Sequence, residues 1–152
     1  MILCIAIGNQ LRGDDGVAHR ALELFGAAEQ VRVLSVTQLM PELAAEIAAS
    51  DAVVFLDADC SIAKVSFGTL DDSSSGGTLL THFLGPSELL AMARGLYSFA
   101  GEAFLCRIPA TQFEPGEQLT PQAEDSARSA AELLRKQLSA LLSQHRHQSL
   151  TG

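Results

Sequence analysis

Two aspartates and one histidine are the residues of this sequence whose types and positions could do chemistry. Asp15 follows the first apolar run, Asp57 ends a later apolar run, and His82 lies in a polar stretch before a leucine-rich segment. Two carboxylates and one imidazole can ligate a borderline divalent metal such as nickel or zinc. So small a ligand set is incomplete, and it could therefore accept a metal that brings other ligands with it.

Each of these residues also has a purely structural interpretation. Asp14 or Asp15 could cap the helix predicted to start at Gly16, where a carboxylate suits the helix dipole. Asp57 could belong to a turn, although a charge that directly follows an apolar strand sits beside a desolvated core. His82 could be an ordinary loop histidine. The remaining histidines are predicted on helix surfaces and are assigned no role: His19, His145 and His147.

Several common catalytic motifs are absent. The segment from Gly8 to Gly13 has only two glycines and no lysine after the second, so it is neither a dinucleotide fingerprint nor a phosphate-binding loop. The sequence contains no Gly-x-Ser-x-Gly elbow, no His-Glu-x-x-His helix and no Asp-Thr-Gly aspartic-protease signature.

Composition predicts one soluble, globular domain. The chain has 152 residues, of which 47% are hydrophobic and 18% charged, and its net charge is -8. An acidic chain without a basic stripe is a poor candidate for binding nucleic acid or an anionic membrane. No segment reaches the roughly 18 apolar residues that span a bilayer, and the first apolar run is too short for a signal peptide. We expect a cytoplasmic protein.

The cysteines are odd in number and widely spaced. Cys4, Cys60 and Cys106 form no paired zinc pattern, and the first and last lie inside apolar runs. We expect buried, reduced thiols in a reducing compartment.

Strands alternate with helices along the chain, which predicts a three-layer α/β domain over residues 1–147 with a disordered tail at 148–152. The predicted strands are Ile2–Ile7, Val31–Val36, Ala52–Leu56, Lys64–Leu70 and Ala103–Ile108. The predicted helices are Gly16–Ala28, Pro41–Ala49, Pro86–Tyr97 and one from Thr120-Pro121 to about His145. Polar loops are predicted over Asp71–Thr78 and Thr111–Leu119.

The order of these elements has consequences for any site. The fourth strand follows the third too closely for a parallel crossover, so it should run antiparallel if the two pair. Ligands of open parallel sheets bind beyond the carboxyl ends of the strands. If the first and third strands are neighbours, Asp15 and Asp57 converge at one edge, and His82 could reach the same edge. Other polar segments at such ends are Thr37–Gln38 and the loop after Ile108.

Taken in order, these segments resemble the hydrogenase maturation endopeptidase family. The strongest match is the run from Ile5 to Val17, which contains Gly8-Asn9, Leu11 and Asp14-Asp15 after an apolar strand. The chain departs from the family pattern at Ala18, where a second glycine is frequent. Further matches are Asp57-Ala58 after its strand, Thr81-His82 before a helix, Phe113–Pro121 before the last helix, and Gln38–Leu43.

The resemblance implies a fold and an activity. The fold would be a three-layer α/β/α sandwich of phosphorylase/hydrolase-like type, with a five-stranded mixed, mostly parallel sheet. Such enzymes remove a short C-terminal extension from the large subunit of a nickel–iron hydrogenase after nickel insertion. The family's three metal-contacting positions fall on Asp15, Asp57 and His82. The resemblance implies no permanent cofactor, because the nickel seated in the substrate is what the site recognises.

Mechanism and rival functions stay open at this point. Our hypothesis is that the three residues engage the substrate's nickel and that a polarised water attacks the scissile carbonyl. An aspartic-protease dyad is less attractive, because nothing forces Asp15 and Asp57 to share a proton. One rival is a small zinc-dependent hydrolase that uses the same residues. The other is a non-catalytic nickel-delivery or chaperone protein that grips the immature subunit without cutting it.

Overall fold

The computed structural model describes residues 1–72 and 84–152, in which strands and helices alternate. The strands are β1 (Ile2–Ile7), β2 (Val31–Val36), β3 (Ala52–Asp59), β4 (Ser66–Thr69) and β5 (Glu102–Pro109). The helices are α1 (Val17–Phe25), α2 (Leu43–Ala48), α3 (Pro86–Tyr97) and α4 (Pro121–Thr151), with a short 3₁₀ helix at Gly13–Gly16.

The five strands form one sheet in the order β2-β1-β3-β5-β4. All neighbours are parallel except β4, which runs antiparallel to β5. In the β1–β3 pair, Ile2 lies opposite Ala52 and Ala6 opposite Leu56, so these two strands end side by side. This confirms the five-stranded mixed, mostly parallel sheet. The first and third strands are neighbours, which is the condition under which Asp15 and Asp57 were expected to converge.

Helices cover both faces of the sheet, and β1 shows why its sequence is apolar throughout. Alternate residues of β1 point to opposite faces, and every one of them is buried. Ile2, Cys4 and Ala6 pack in a core with residues of α1 and α4. Leu3, Ile5 and Ile7 pack in a second core with residues of α2 and α3. Two closed faces leave the strand ends as the place for polar chemistry.

Several boundaries differ from those predicted from sequence. β4 does run antiparallel, but its partner is β5 and not its predecessor β3. α4 continues to Thr151, through the segment expected to be a frayed, disordered tail. Neither proline nor glycine interrupts the chain between Pro121 and Gly152, so nothing local stops the helix earlier. Within the described residues, no helix is long and apolar enough to cross a membrane.

The cysteines only partly follow the expectation. Cys4 and Cys106 are buried and free, and burial raises the pKa of each thiol to about 12. Cys60 is exposed instead of buried, because it lies in the turn after β3. The two buried thiols are therefore core residues and remain protonated at neutral pH.

Candidate functional site

The candidate site lies at the carboxyl ends of β1 and β3, where the order of the sheet switches direction. From β1 the chain crosses to β2 on one side and then returns to β3 on the other. Such a switch point leaves a crevice, because the two connections diverge. A cavity of about 840 Å³ occupies it, and both Asp15 and Asp57 line this cavity. The predicted convergence of the two carboxylates at one edge is therefore present.

Asp15 is held by the loop that follows β1. It lies in the 3₁₀ helix and is partly buried, and its Oδ2 accepts a hydrogen bond from the backbone N–H of Asn9 at 2.6 Å. The Asn9 side chain accepts from the N–H of Leu11 at 2.9 Å, and the Asn9 carbonyl accepts from the N–H of Arg12 at 3.1 Å. The Gly8-Asn9 segment thus forms a closed turn that presents one amide to Asp15.

Asp57 comes directly after a fully buried strand segment and is itself only partly exposed. Burial raises the pKa of its carboxyl to about 6, and the negative charges of Asp15 and Asp59 add to the increase. A hydrogen bond from the backbone of Ala58 opposes the shift without cancelling it. Asp15 and Asp59 therefore both lie close enough to Asp57 for their charges to act on its carboxyl.

His82, the third residue predicted for the site, lies outside the described residues and stays a prediction. The described chain resumes at Leu84, and Leu84, Gly85 and Pro86 line the same cavity as the two aspartates. Across residues 1–72 and 84–152, no group of three histidine, cysteine, aspartate or glutamate side chains could hold a metal ion.

The other polar segments named from sequence divide into two groups. Thr37 and Gln38, after β2, line the cavity together with Asn9 and Arg12. The loop after β5 does not line it and instead packs against the loop that carries the aspartates. A turn follows β3, and in it the Asp59 carboxylate accepts a hydrogen bond from the backbone N–H of Ser61 at 2.8 Å.

Asp14 is the residue whose importance the sequence analysis missed. It is fully buried, and its carboxylate accepts hydrogen bonds from the loop that precedes α4. The donors are the backbone N–H groups of Thr111 at 3.0 Å, Gln112 at 3.1 Å and Thr120 at 2.8 Å, and the Thr120 hydroxyl at 3.0 Å. The Thr120 hydroxyl oxygen also accepts from the N–H of Ala123 and so caps α4. Asp14 therefore ties the aspartate loop to the start of the last helix.

The capping interpretation of the two adjacent aspartates is wrong. The residue before α1 is Gly16, and no side chain caps that helix. Burial by itself raises the pKa of Asp14, but the hydrogen bonds from Thr120, Thr111 and Gln112 outweigh it and lower the pKa below its ordinary value. Asp14 is thus a buried charged anchor, and Asp15 beside it is left to face the cavity. The segment Phe113–Pro121, which resembles the family, could have pointed to this role of Asp14, because it contains the hydrogen-bond donor Thr120.

His19 was assigned to a helix surface, and this prediction is also wrong. The side chain is 5% exposed, and its Nε2 lies 2.7 Å from the carbonyl oxygen of Gly8. His19 sits in the first turn of α1, where the helix leaves the end of β1, so this position faces the strand end. His147 is exposed, as predicted, whereas His145 is half-buried.

The adjacent aspartates provide a matched pair for a stability test. Asp14→Asn replaces one acceptor oxygen by an amide that faces backbone donors, so it should lower the free energy of unfolding by about 2–4 kcal/mol. Asp15→Asn loses at most one such bond at a partly exposed position and should cost less than about 1.5 kcal/mol. Urea unfolding of both variants at neutral pH measures the difference. Equal losses would contradict the anchoring role of Asp14.

The raised pKa of Asp57 predicts a pH-dependent stability difference. The folded state holds the Asp57 proton up to about pH 6, whereas the unfolded chain releases it near 3.8. Stability is therefore lost as the pH rises from about 4 to about 6, and the loss is complete above the folded pKa. Asp57→Asn should therefore be more stable than the wild type by roughly 1–3 kcal/mol at about pH 8. The advantage should shrink as the pH falls toward about 4. Urea unfolding across this range checks it, and a difference independent of pH would refute the assignment.

Comparison with known proteins establishes the fold. No protein-family model and no curated protein matches the sequence. Among solved structures, the NiFe hydrogenase maturation protease HycI from Thermococcus kodakarensis KOD1 superposes with a TM-score of 0.69 at 24% identity, covering 89% of this chain and 90% of that one. The hydrogenase maturating endopeptidase HybD from Escherichia coli gives 0.69 at 23% identity, covering 94% and 93%. An uncharacterised protein from Wolinella succinogenes gives 0.62 at 25% identity, covering 92% and 97%. The chain therefore has the fold of the hydrogenase maturation proteases.

Proposed function

We propose that the protein is an endopeptidase that removes the C-terminal extension of a nickel–iron hydrogenase large-subunit precursor after nickel insertion. The observation that carries the proposal is the placement of Asp15 and Asp57 on one cavity at the switch point between β1 and β3. A cavity lined by two acidic oxygen donors suits a metal that arrives already bound to a protein.

Two further observations support the proposal. The structures with the same fold include proteins named as hydrogenase maturation proteases and endopeptidases, and they cover almost the whole chain. The segments that resemble this family also lie at the cavity or in the loop that holds Asp14 in place. Asp15 and Asp57 line the cavity, and Phe113–Pro121 includes Thr120, which holds the aspartate loop through Asp14.

In the proposed reaction, nickel is part of the substrate. The carboxylates of Asp15 and Asp57, with His82 as the third proposed contact, engage the nickel of the precursor and so place the scissile bond at the cavity. A water, polarised by that nickel or by one carboxylate, attacks the peptide carbonyl carbon. The carbon–nitrogen bond then breaks, and the departing amine takes up the proton that the attacking water gives up. The protein itself contributes orientation and acid–base groups, and it needs no permanent metal.

The proposal also includes a cytoplasmic location, where the immature large subunit would be met. It differs from the two rival functions in what each predicts for the partner and the metal. A nickel-delivery or chaperone protein would form a stable complex whose partner keeps its full length. A zinc-dependent hydrolase would retain stoichiometric zinc through purification, which metal analysis of the isolated protein detects.

Two aspartates of the same strand provide the sharpest test of this function. Asp57→Asn should abolish shortening of the nickel-loaded precursor, because it removes one of the two carboxylates on the cavity, while the protein stays folded. Asp59→Asn is the matched control: Asp59 does not line the cavity, and it pairs with Arg107 at 3.3 Å. Intact-mass measurement of the precursor after incubation with each variant gives the readout.

The control should shorten the precursor as the wild type does. Normal cleavage by Asp57→Asn would remove Asp57 from the mechanism. Loss of cleavage in both variants would mean that any substitution at this end of β3 impairs the reaction, and that the effect is not specific to the Asp57 carboxylate.

A further inference from the structure

His19 is a buried polar residue that core packing does not explain. Its imidazole is 5% exposed, and its Nδ1 has no hydrogen-bond partner among the described residues. A buried nitrogen without a partner costs free energy, and an apolar side chain would fill the same place without that cost. The hydrogen bond that the ring makes within the described part of the chain is therefore informative.

That hydrogen bond fixes the role of one ring nitrogen. The Nε2 of His19 lies 2.7 Å from the carbonyl oxygen of Gly8, and a carbonyl oxygen can only accept a hydrogen bond. Nε2 must therefore carry the proton and donate it. The hydrogen-bond acceptor belongs to Gly8, whose backbone conformation is itself restricted.

Gly8 occupies a conformation that other residues rarely adopt. Its φ is +146°, and a Cβ built at this position would lie 2.0 Å from the backbone oxygen of Asp15. Only glycine lets the end of β1 approach Asp15 this closely. The N–H of Gly8 is tied separately to the carbonyl of Val36 at 3.0 Å.

The peptide unit that joins Gly8 to Asn9 connects His19 with Asp15. The carbonyl of this unit accepts from His19, and its N–H, on Asn9, donates to Oδ2 of Asp15 at 2.6 Å. A peptide unit is planar, so holding the carbonyl also holds the direction of the N–H. Two hydrogen bonds in series through one amide also polarise and strengthen each other.

We propose that His19 is a positioning residue for Asp15, acting through the Gly8–Asn9 peptide. Its donated proton holds the peptide plane, and the plane aims the Asn9 amide at the carboxylate that faces the cavity. The inference deepens the proposed function, and its effect on cleavage rests on that function. The arrangement resembles the outer groups that orient metal-contacting side chains, whose loss costs about 10- to 100-fold in affinity or activity.

The test compares two substitutions of His19 with a packing control on the same helix. His19→Leu removes the donor, whereas the side-chain amide of His19→Gln can donate from a position close to that of Nε2. Leu22→Ala is the control, because Leu22 is buried in α1 one turn later and the substitution disturbs packing only. Thermal unfolding first verifies that each variant is folded.

The first readout is the NMR chemical shift of the Asn9 amide proton in the isolated protein. A short bond to a carboxylate moves this proton downfield, so His19→Leu should shift it upfield, while His19→Gln and Leu22→Ala should leave it near the wild-type position. An unchanged Asn9 shift in His19→Leu overturns the proposal. This readout needs no substrate, so it decides the structural part even if the wild type cleaves no precursor and the proposed function fails.

The second readout is kcat/KM for precursor shortening. His19→Leu should lower it by about 10- to 100-fold, and His19→Gln should restore most of the loss. Leu22→Ala should stay close to the wild type. A loss in His19→Leu that glutamine does not rescue, or an equal loss in Leu22→Ala, reduces His19 to a core residue and overturns the positioning role.

Discussion

The parallel pairing of β1 with β3 is the constraint on which the site depends. Both strands are buried on both faces, so their polar continuations can only emerge at the strand ends. Because the strands are parallel neighbours in register, those ends meet at the same edge of the sheet. Asp15 and Asp57 therefore share a cavity although 42 positions separate them in the sequence (57 minus 15). Burial at this edge is also the main cause of the raised pKa of Asp57.

A second constraint is that the two adjacent carboxylates of Asp14 and Asp15 have different environments. Asp14 is buried and holds the loop before α4 through backbone donors, which makes its charge part of the framework. Asp15, one residue later, is free to face the cavity and accepts a single amide hydrogen bond from Asn9. The Asp-Asp pair thus joins a buried anchor to a carboxylate that faces the cavity. Because Asp14 is held rigidly, the position of the neighbouring Asp15 is also restricted.

Patterns local to the chain predicted much of this architecture. Apolar runs predicted β1 and β2 with the bounds that the structure shows. Pro86, placed in a first helical turn, likewise predicted the observed bounds of α3. The short connection after β3 gave the antiparallel direction of β4, but not its pairing with β5, because strand order depends on contacts between distant segments. The convergence of Asp15 and Asp57 could be predicted because both are acidic residues that follow the carboxyl ends of buried strands.

Other features depend on tertiary contacts that no local pattern encodes. The burial of Asp14 requires the loop before α4 to fold back onto it, about a hundred residues away along the chain. His19 is polar and lies on a helix, so periodicity favoured the surface, whereas the docking of α1 on the end of β1 buries it. The helix α4 is longer than predicted because the last residues of the sequence were expected to fray, although none of the residues from Gln148 to Thr151 stops a helix.

The central claim is that the cavity recognises a metal that its substrate carries and then cuts that substrate. The most direct measurement incubates the purified wild-type protein with its large-subunit precursor in nickel-loaded and nickel-free forms and reads both by intact mass. The account predicts loss of a C-terminal peptide from the nickel-loaded form only. Shortening of both forms would contradict recognition through nickel, and two intact forms, with folding and partner verified, would contradict the proteolytic function itself.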